Sequence, residues 1–219
     1  MAAKTQGAEL IRFYDFPMAP SPRRARIILA EKNIPHASII VDLAAREQQG
    51  AAYAAINPRM TVPALQLEDG TVLTDNAGIA AWAEAHQPTP PLMGTTPLEK
   101  ADIASWNARI EQEGFLALAE AMRNSAPAMK DRALPGPHNY AQIPELALRG
   151  TQRFTTFIAM LDQHLADREY IAAGTFSLAD ITAVVAVDFA RVIRMKPAET
   201  HSHIGRWRAA MARRPSMAL

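Results

Sequence analysis

The chain contains no cysteine among its 219 residues. This absence excludes disulfide bonds and thiolate metal ligands, so any thiol chemistry must use a sulfur that comes from a ligand. The chain also has almost no net charge, because it contains 23 Lys and Arg residues and 22 Asp and Glu residues, which gives a net charge of +1. That balance argues against general binding to nucleic acid or to a membrane surface.

Several sequence motifs of catalysis and targeting are missing as well. There is no Gly-x-Gly-x-x-Gly, no P-loop and no Gly-x-Ser-x-Gly. No apolar run approaches the ~20 residues of a membrane span, and residues 1–8 lack the apolar core of a signal peptide. The 6 histidines are scattered without metal-ligand spacing. We therefore predict a cytoplasmic protein with no metal, no nucleic-acid partner and no membrane partner.

A proline-rich loop near the start separates a predicted strand from a predicted helix. Residues 10–15 alternate as a strand does, and residues 22–33 have helical spacing of apolar positions. Ser21 before Pro22 is typical of a helix N-cap followed by proline at the first helical position. Residues 36–41 form a β-branched strand, which a right-handed crossover makes parallel to the first. An anion or a thiolate would be stabilised at the start of this helix.

The next segments complete a small mixed sheet. Residues 43–55 are rich in alanine and predict a helix. Pro63 opens a short strand, which proline tolerates at the first position, and a hairpin turn leads to a return strand at 71–73. Residues 75–86 predict another helix, so the order is βαβ, helix, ββα.

The rest of the chain predicts helices only. The proline-rich residues 88–96 are a predicted linker between an α/β domain at 1–87 and an all-α domain at 97–219. Apolar spacing and a capping-box sequence predict the helical segments. They are helices over 97–124, 143–166 and 201–213, a buried helix that begins at Ser177, and a long loop over 125–142 of the kind that is often functional.

Five segments of the sequence, in order, resemble motifs of the cytosolic glutathione transferases. The resemblance covers nearly the whole chain and implies an N-terminal thioredoxin-like domain followed by a helical bundle. It also implies glutathione as co-substrate, a homodimer and a role in detoxification. In its loop Ala-Pro-Ser-Pro, the chain is most similar to the bacterial nu class. The five segments are Arg24 to Lys32, Asn57-Pro58 with Val62 to Leu65, Leu73 to Ala80, Phe176 to Ile181, and Trp207 with Arg214-Pro215-Ser216.

The resemblance implies how two parts of glutathione would be held. Val62 would pair through its backbone N–H and C=O with the cysteinyl main chain, next to a cis peptide bond at Pro63, where proline makes the cis form accessible. Asp75 would take the ammonium group of the γ-glutamyl end. Asn76, where the family has Ser, would take its α-carboxylate together with the helix start. Asp75 also suits a simple helix cap.

Three further residues match glutathione-contacting positions of the family. Gln48 falls where a polar residue meets the glycyl carboxylate, although a solvated helix residue is the alternative. Thr61 stands where many members have Lys or Gln and would assist weakly. Arg149 matches an arginine that, in the nu class, reaches glutathione across the dimer. A plain surface arginine is the alternative for Arg149.

The group that activates the thiol is the least determined part of the site. Ala19 occupies the position of the catalytic side chain in serine- and cysteine-type members, and alanine cannot donate a hydrogen bond. The nu-class loop pattern points instead to Ser21, whose hydroxyl would bond the thiolate and lower its pKa. The alternative is that Ser21 is only an N-cap and catalysis is lost. Tyr14 is a second candidate, but its place in the first strand favours a core position.

A second substrate would sit between the proline-rich loop and the long helix. The predicted lining residues are Pro17, Met18, Ala19, Glu111, Phe115 and Arg123. The favoured function is conjugation of the glutathione thiolate to a small hydrophobic electrophile, by lowered thiol pKa and proximity. Two alternatives stay open: a glutathione-dependent disulfide oxidoreductase, and a non-catalytic glutathione-binding protein of the same fold.

Overall fold

A four-stranded sheet forms the first part of the computed structural model, which describes residues 10–219. The strands are β1 (Arg12–Asp15), β2 (Ala37–Ile40), β3 (Ala64–Gln66) and β4 (Val72–Leu73), in the spatial order β2-β1-β3-β4. Strand β1 runs parallel to β2 and antiparallel to β3, and β3 pairs antiparallel with β4. The predicted mixed sheet is confirmed. The segment in which no signal peptide was expected lies outside the described residues.

The helices of this part are α1 (Pro20–Glu31), α2 (Ala51–Ala54) and α3 (Asn76–His86). Helix α1 crosses from β1 to β2, and α3 packs beside it. The helix predicted over 43–55 is mostly wrong, because only its last residues are α-helical. A 3₁₀ turn, Glu47–Gln49, precedes them and begins after Arg46 in the left-handed region at φ 61°. High alanine propensity is outweighed there by the turn that the chain must make.

The start of α1 differs from the prediction by two residues. Ala19 is the N-cap, with extended backbone, and Pro20 is the first helical residue. Proline at the first helical position fixes the required φ, and it keeps the preceding residue extended. Ser21 therefore lies inside the first turn and does not cap the helix.

The second part is helical, as predicted, and its longest segment contains an irregularity. Helix α4 (Pro97–Arg109) continues through a π-helical segment (Ile110–Phe115) into α5 (Leu116–Arg123). π-helical turns occur mostly as short insertions within α-helices, and they are frequent at functional sites. The remaining helices are α6 (Pro144–His164), α7 (Leu178–Phe189), α8 (Pro197–Thr200) and α9 (Ser202–Met211). Together the two parts form a thioredoxin-like domain and a helical domain. The exact boundary at 88–96 stays a prediction.

One apolar core extends through both parts. It includes Ile27 of α1, Ile79 of α3, Phe154 of α6 and Val184 of α7, all fully buried. Helix α7 lies in the middle and is buried along nearly its whole length, because it packs on α1 on one side and on α4 on the other. Within residues 10–219, no helix is both long enough and apolar enough to cross a membrane.

A buried carboxylate fixes the start of α7. Asp180 is completely buried, and its side chain accepts hydrogen bonds from the backbone N–H of Ile171 at 3.0 Å and of Ser177 at 3.1 Å. It also accepts from Ser177 Oγ at 3.2 Å and from the Trp207 indole N–H at 3.0 Å. The capping box predicted from Ser177 and Asp180 is thus confirmed and extended to α9. Burial raises the pKa of Asp180 to about 6, against the lowering effect of these donors.

Replacing this carboxylate should destabilise the fold strongly. In Asp180→Ala, buried donors of three residues lose their acceptor, so the free energy of unfolding should fall by about 3 kcal/mol. The control is Asp167→Ala, which removes a carboxylate that is 80% exposed and should cost less than about 0.5 kcal/mol. Urea denaturation of both variants measures the difference. Equal losses would show that Asp180 does not hold α7 and α9 together.

The effect of Asp180→Ala should also depend on pH. The pKa of Asp180 is higher in the folded than in the unfolded chain, so folding favours the protonated carboxyl. The stability that the wild type has over Asp180→Ala should therefore be greatest near pH 4 and fall as the pH rises towards about 6. A difference that grew over this range would contradict the raised pKa.

Candidate active site

A cleft of about 770 Å³ opens between the two parts of the molecule. The start of α1, the segment before β3 and the start of α3 form one wall. The π-helical segment, α5 and the loop over 125–142 form the other. Most residues predicted for the site line this cleft. They are Ala19, Ser21, Gln48, Thr61, Val62, Pro63, Asp75, Asn76, Glu111, Phe115 and Arg123.

The segment before β3 presents unpaired backbone groups to the cleft. The Val62-Pro63 peptide bond is cis, as the resemblance implies. The carbonyl of Thr61 accepts hydrogen bonds from Tyr53 Oη and from Asn57 Nδ2, both at 2.7 Å. The backbone N–H and C=O of Val62 bond to no residue of the described chain. The segment is thus anchored at Thr61 while Val62 remains available to pair with an extended ligand.

The start of α3 supplies both charge and a free amide. Asp75 caps the helix through Oδ1, which accepts from the Gly78 N–H at 2.9 Å. Its Oδ2 lies 3.9 Å from Arg59 Nη1 in an exposed ion pair. The predicted capping role of Asp75 is therefore confirmed. The Asn76 side-chain oxygen is buried and has no hydrogen-bond partner in the described part of the chain.

Gln48 is a second polar side chain without a partner. It lies in the 3₁₀ turn before α2, is only 6% exposed, and its Oε1 has no hydrogen-bond partner among residues 10–219. Its burial excludes the alternative of a solvated helix residue. Buried amides almost always have partners. Gln48 Oε1 and Asn76 Oδ1, on the wall of one cleft, are therefore polar atoms that the fold leaves unsatisfied.

The first turn of α1 offers its hydrogen-bond donors at a single residue. Pro20 and Pro22 have no backbone N–H, and the Arg23 N–H reaches back to the Ala19 carbonyl at 3.4 Å. Ser21 alone contributes both a free N–H and a hydroxyl, neither of which bonds within the described residues. The positive end of the helix dipole adds to these donors. This turn suits an anionic atom.

An ion pair between a buried arginine and a partly exposed glutamate also lines the cleft. Arg24, which is 6% exposed, donates from Nη1 to Glu111, and its guanidinium lies 4.5 Å from the centre of the Phe115 ring. Burial lowers the pKa of Arg24, and the Glu111 carboxylate opposes that effect. The π-helical segment places Glu111 and Phe115 on the same side, so this contact joins α1 to the helical domain.

Three predicted site residues lie elsewhere. Pro17 and Met18 turn away from the cleft towards α7, because the chain reverses there to enter α1. Arg149 lies on α6 outside the cleft and pairs with Glu120 at 2.8 Å. A contact of Arg149 across a dimer stays a prediction. Tyr14 is buried and donates to Gln66 Oε1 at 3.1 Å, which confirms its place in the core.

Several residues that line the cleft are not predicted from the sequence. Arg24, Arg59 and Asn107 are among them, and the long loop adds others: Met129, Arg132, Leu134, His138 and Asn139. The only signal for the loop residues was the length of the segment itself. No group of three or more residues in the described ranges could hold a metal ion.

Comparisons with known proteins agree with this geometry. The family models for the glutathione S-transferase N-terminal and C-terminal domains match residues 19–86 and 126–215. Glutathione S-transferase 2 of Saccharomyces cerevisiae is 32% identical over 93% of this chain and 86% of its own length. The crystal structure of a glutathione S-transferase domain-containing protein from Marinobacter aquaeolei is 31% identical, with a TM-score of 0.84 over 94% of this chain and 99% of that one.

A third protein of known structure shares the fold. A glutathione transferase homologue from Sulfitobacter, solved with bound glutathione, is 24% identical, with a TM-score of 0.79 over 95% of each chain. The fold is thus a thioredoxin-like domain joined to a helical domain, with a cleft between them. The chain belongs to the glutathione S-transferase family. The nu class and a bacterial source stay predictions.

The unpaired Gln48 amide leads to a stability prediction. A buried polar atom without a partner costs about 1–3 kcal/mol. Gln48→Met should therefore raise the free energy of unfolding of the ligand-free protein, by about 1 kcal/mol, although most core substitutions lower it. Gln49→Met, at the half-buried neighbour, is the control and should change little. Urea denaturation decides, and a loss of stability in Gln48→Met would contradict the unpaired state of this amide.

Proposed function

We propose that this chain binds glutathione in the cleft and conjugates its thiolate to a small electrophile with a largely apolar body. The single observation that supports this best is the set of unpaired groups on one wall. Val62, Asn76, Gln48 and Ser21 each offer hydrogen-bonding groups that no described residue uses. The carboxylates at the two ends of the tripeptide glutathione would accept from the side-chain N–H groups of Asn76 and Gln48. Its main chain would pair with Val62, and its thiolate would accept from Ser21.

Glutathione would extend along the wall from α3 to the turn before α2. Its γ-glutamyl end would meet Asp75 and Asn76, and its cysteinyl main chain would pair with the Val62 N–H and C=O. Its glycyl carboxylate would meet Gln48, with Thr61 beside it. In this position the sulfur faces the first turn of α1, where Ser21 supplies its donors. Family membership and the glutathione complex of the Sulfitobacter homologue support the proposal.

Ser21 would lower the pKa of the bound thiol by stabilising its ionised form. The hydroxyl and the backbone N–H both donate, and the helix dipole adds a favourable potential. Because the thiolate is the reactive form of a thiol, a lower pKa raises the reactive fraction at neutral pH. The sulfur then forms a bond to the electrophilic carbon, and a leaving group such as chloride departs with the electron pair of its own bond.

The second substrate would occupy the opposite wall. Phe115, Leu116, Ala119 and Met122 form an apolar surface there. We further propose that the protein acts in the cytoplasm as a homodimer and that its role is detoxification. Relative rates with an aryl chloride and with a mixed disulfide of glutathione distinguish conjugation from disulfide reduction.

Glutathione affinity should depend on the free amide at α3. Asn76→Ala should weaken glutathione binding about tenfold, since one hydrogen bond to a charged group contributes about 1.5 kcal/mol. Isothermal titration calorimetry measures the affinity, and Asn139→Ala on the opposite wall is the control. Binding that Asn76→Ala leaves unchanged would show that glutathione does not lie along this wall, and absence of binding to the wild type would overturn the proposed function.

Removal of the Ser21 hydroxyl should raise the pKa of the bound thiol while largely preserving affinity. The backbone N–H remains in Ser21→Ala, so we expect a partial shift of about one pKa unit towards the value of a free thiol, about 8.5. Ultraviolet absorbance of the thiolate against pH measures this shift. Ser21→Cys is avoided, since it would add a second thiol. An unchanged titration would exclude the Ser21 hydroxyl from thiol activation.

A further inference from the structure

The arginines of the cleft are not all matched by carboxylates. Four line it, and two of these have a partner: Arg24 pairs with Glu111, and Arg59 lies 3.9 Å from Asp75. Those two carboxylates are the only acidic residues among the described residues that line the cleft. Arg123 and Arg132 face no acidic side chain within ion-pair distance in residues 10–219.

The two unmatched arginines lie together at the helical end of the cleft. Arg123, the last residue of α5, donates through Nε to the Ala133 carbonyl at 3.1 Å and through Nη2 to the Arg132 carbonyl at 2.6 Å. Burial, and then the charge of Arg132, lower the pKa of the Arg123 guanidinium. The side chain of Arg132 makes no hydrogen bond or ion pair with any described residue. The neighbouring Asp131 is exposed, and its carboxylate does not pair with Arg132.

The guanidinium groups of Arg123 and Arg132 are half-buried and lie next to an apolar surface. Leu116, Ala119 and Met122 recur on one face of α5, and Leu134 of the long loop lies opposite. Two half-buried guanidinium groups at the end of such a surface repel each other. An anion that bonds to both would remove this repulsion. Arginine is also suited to this role, since its planar donors match the two oxygens of a carboxylate.

We propose that the second substrate of this chain carries a carboxylate or a similar oxyanion on its apolar body, and that Arg132, assisted by Arg123, binds that group. The proposal rests on the proposed function and narrows its substrate class. Arg123 has a second task, because its hydrogen bonds hold residues 132 and 133 of the loop against α5. The side chain of Arg132 has no such structural role, so substitutions of Arg132 test substrate specificity without breaking a contact that holds the loop.

A matched pair of glutathione conjugates tests the proposal. The probes are S-(4-carboxy-2,6-dinitrophenyl)glutathione and its methyl ester at the aryl carboxyl group, which differ in one charge. They are the products formed when glutathione displaces chloride from 4-chloro-3,5-dinitrobenzoate and from its methyl ester. Their binding does not require turnover. Calorimetric titration should show that the acid conjugate binds about tenfold more tightly than the ester, as a close charge pair in a partly buried site provides.

Variants at Arg132 assign that preference. Arg132→Gln should bring the two affinities within about twofold of each other by weakening the acid conjugate only, and Arg132→Lys should keep most of the preference. Lys130→Gln removes a positive charge two residues away that does not line the cleft, and it should leave the preference unchanged. The ratio of kcat/KM for the two aryl chlorides, each divided by its uncatalysed rate constant, should change in parallel.

The outcomes separate this proposal from the proposed function. Equal binding of both conjugates to the wild type, or a preference that survives Arg132→Gln, would overturn the proposal that the second substrate is anionic. If the same protein still binds glutathione, the proposed function remains intact. Equal weakening of both conjugates in Arg132→Gln would show that Arg132 acts only on the shape of the loop, which also overturns it. If glutathione itself does not bind, the proposed function is wrong and this proposal falls with it.

Discussion

Helix α1 is held from two sides, and the geometry of the cleft depends on this. It packs on α3 within the first domain and on α7 of the helical domain. Three ion pairs reach from α1 to the helical part of the chain: Arg23 with Asp188 at 2.7 Å, Arg24 with Glu111, and Glu31 with Arg214 at 2.7 Å. They lie at both ends of the helix. The first turn, with its free donors, is therefore fixed relative to both walls.

The cleft combines this rigid support with polar groups that the fold leaves unsatisfied. Unpaired amides and an unmatched pair of guanidinium groups reduce the stability of the ligand-free protein. Natural proteins depart from full polar satisfaction mostly at functional sites. Among residues 10–219, four buried side-chain atoms lack a partner, and three of them, on Arg24, Gln48 and Asn76, belong to residues that line this cleft; the fourth is Arg26 Nε. Other buried polar groups, such as Asp180 and Lys32, have partners. The contrast shows where a ligand would supply missing bonds.

The sequence predicted the parts of the fold that are encoded locally. The order of strands, the capping box at Ser177 and the cap at Asp75 all follow from short patterns of known physical origin. The binding wall near Val62 was predicted through family resemblance, which assigned roles to individual residues. Periodicity alone does not assign such roles.

The start of α1 was placed wrongly because two prolines, Pro20 and Pro22, are both compatible with the first helical position. The opposite wall depends on how α5 meets a loop without periodicity, so the length of the loop was the only sequence signal and it did not single out Arg132 or its neighbours. Pro17 and Met18 were expected in the cleft from proximity in sequence, but the reversal into α1 directs them to α7.

In the proposed function, this cysteine-free chain places the sulfur of a ligand at the first turn of α1. A crystal structure of the protein with glutathione tests it most directly. We expect the sulfur within about 3.5 Å of the Ser21 N–H or hydroxyl, with the cysteinyl main chain paired to Val62. A sulfur directed away from α1, or a glutathione molecule bound outside this cleft, would contradict it.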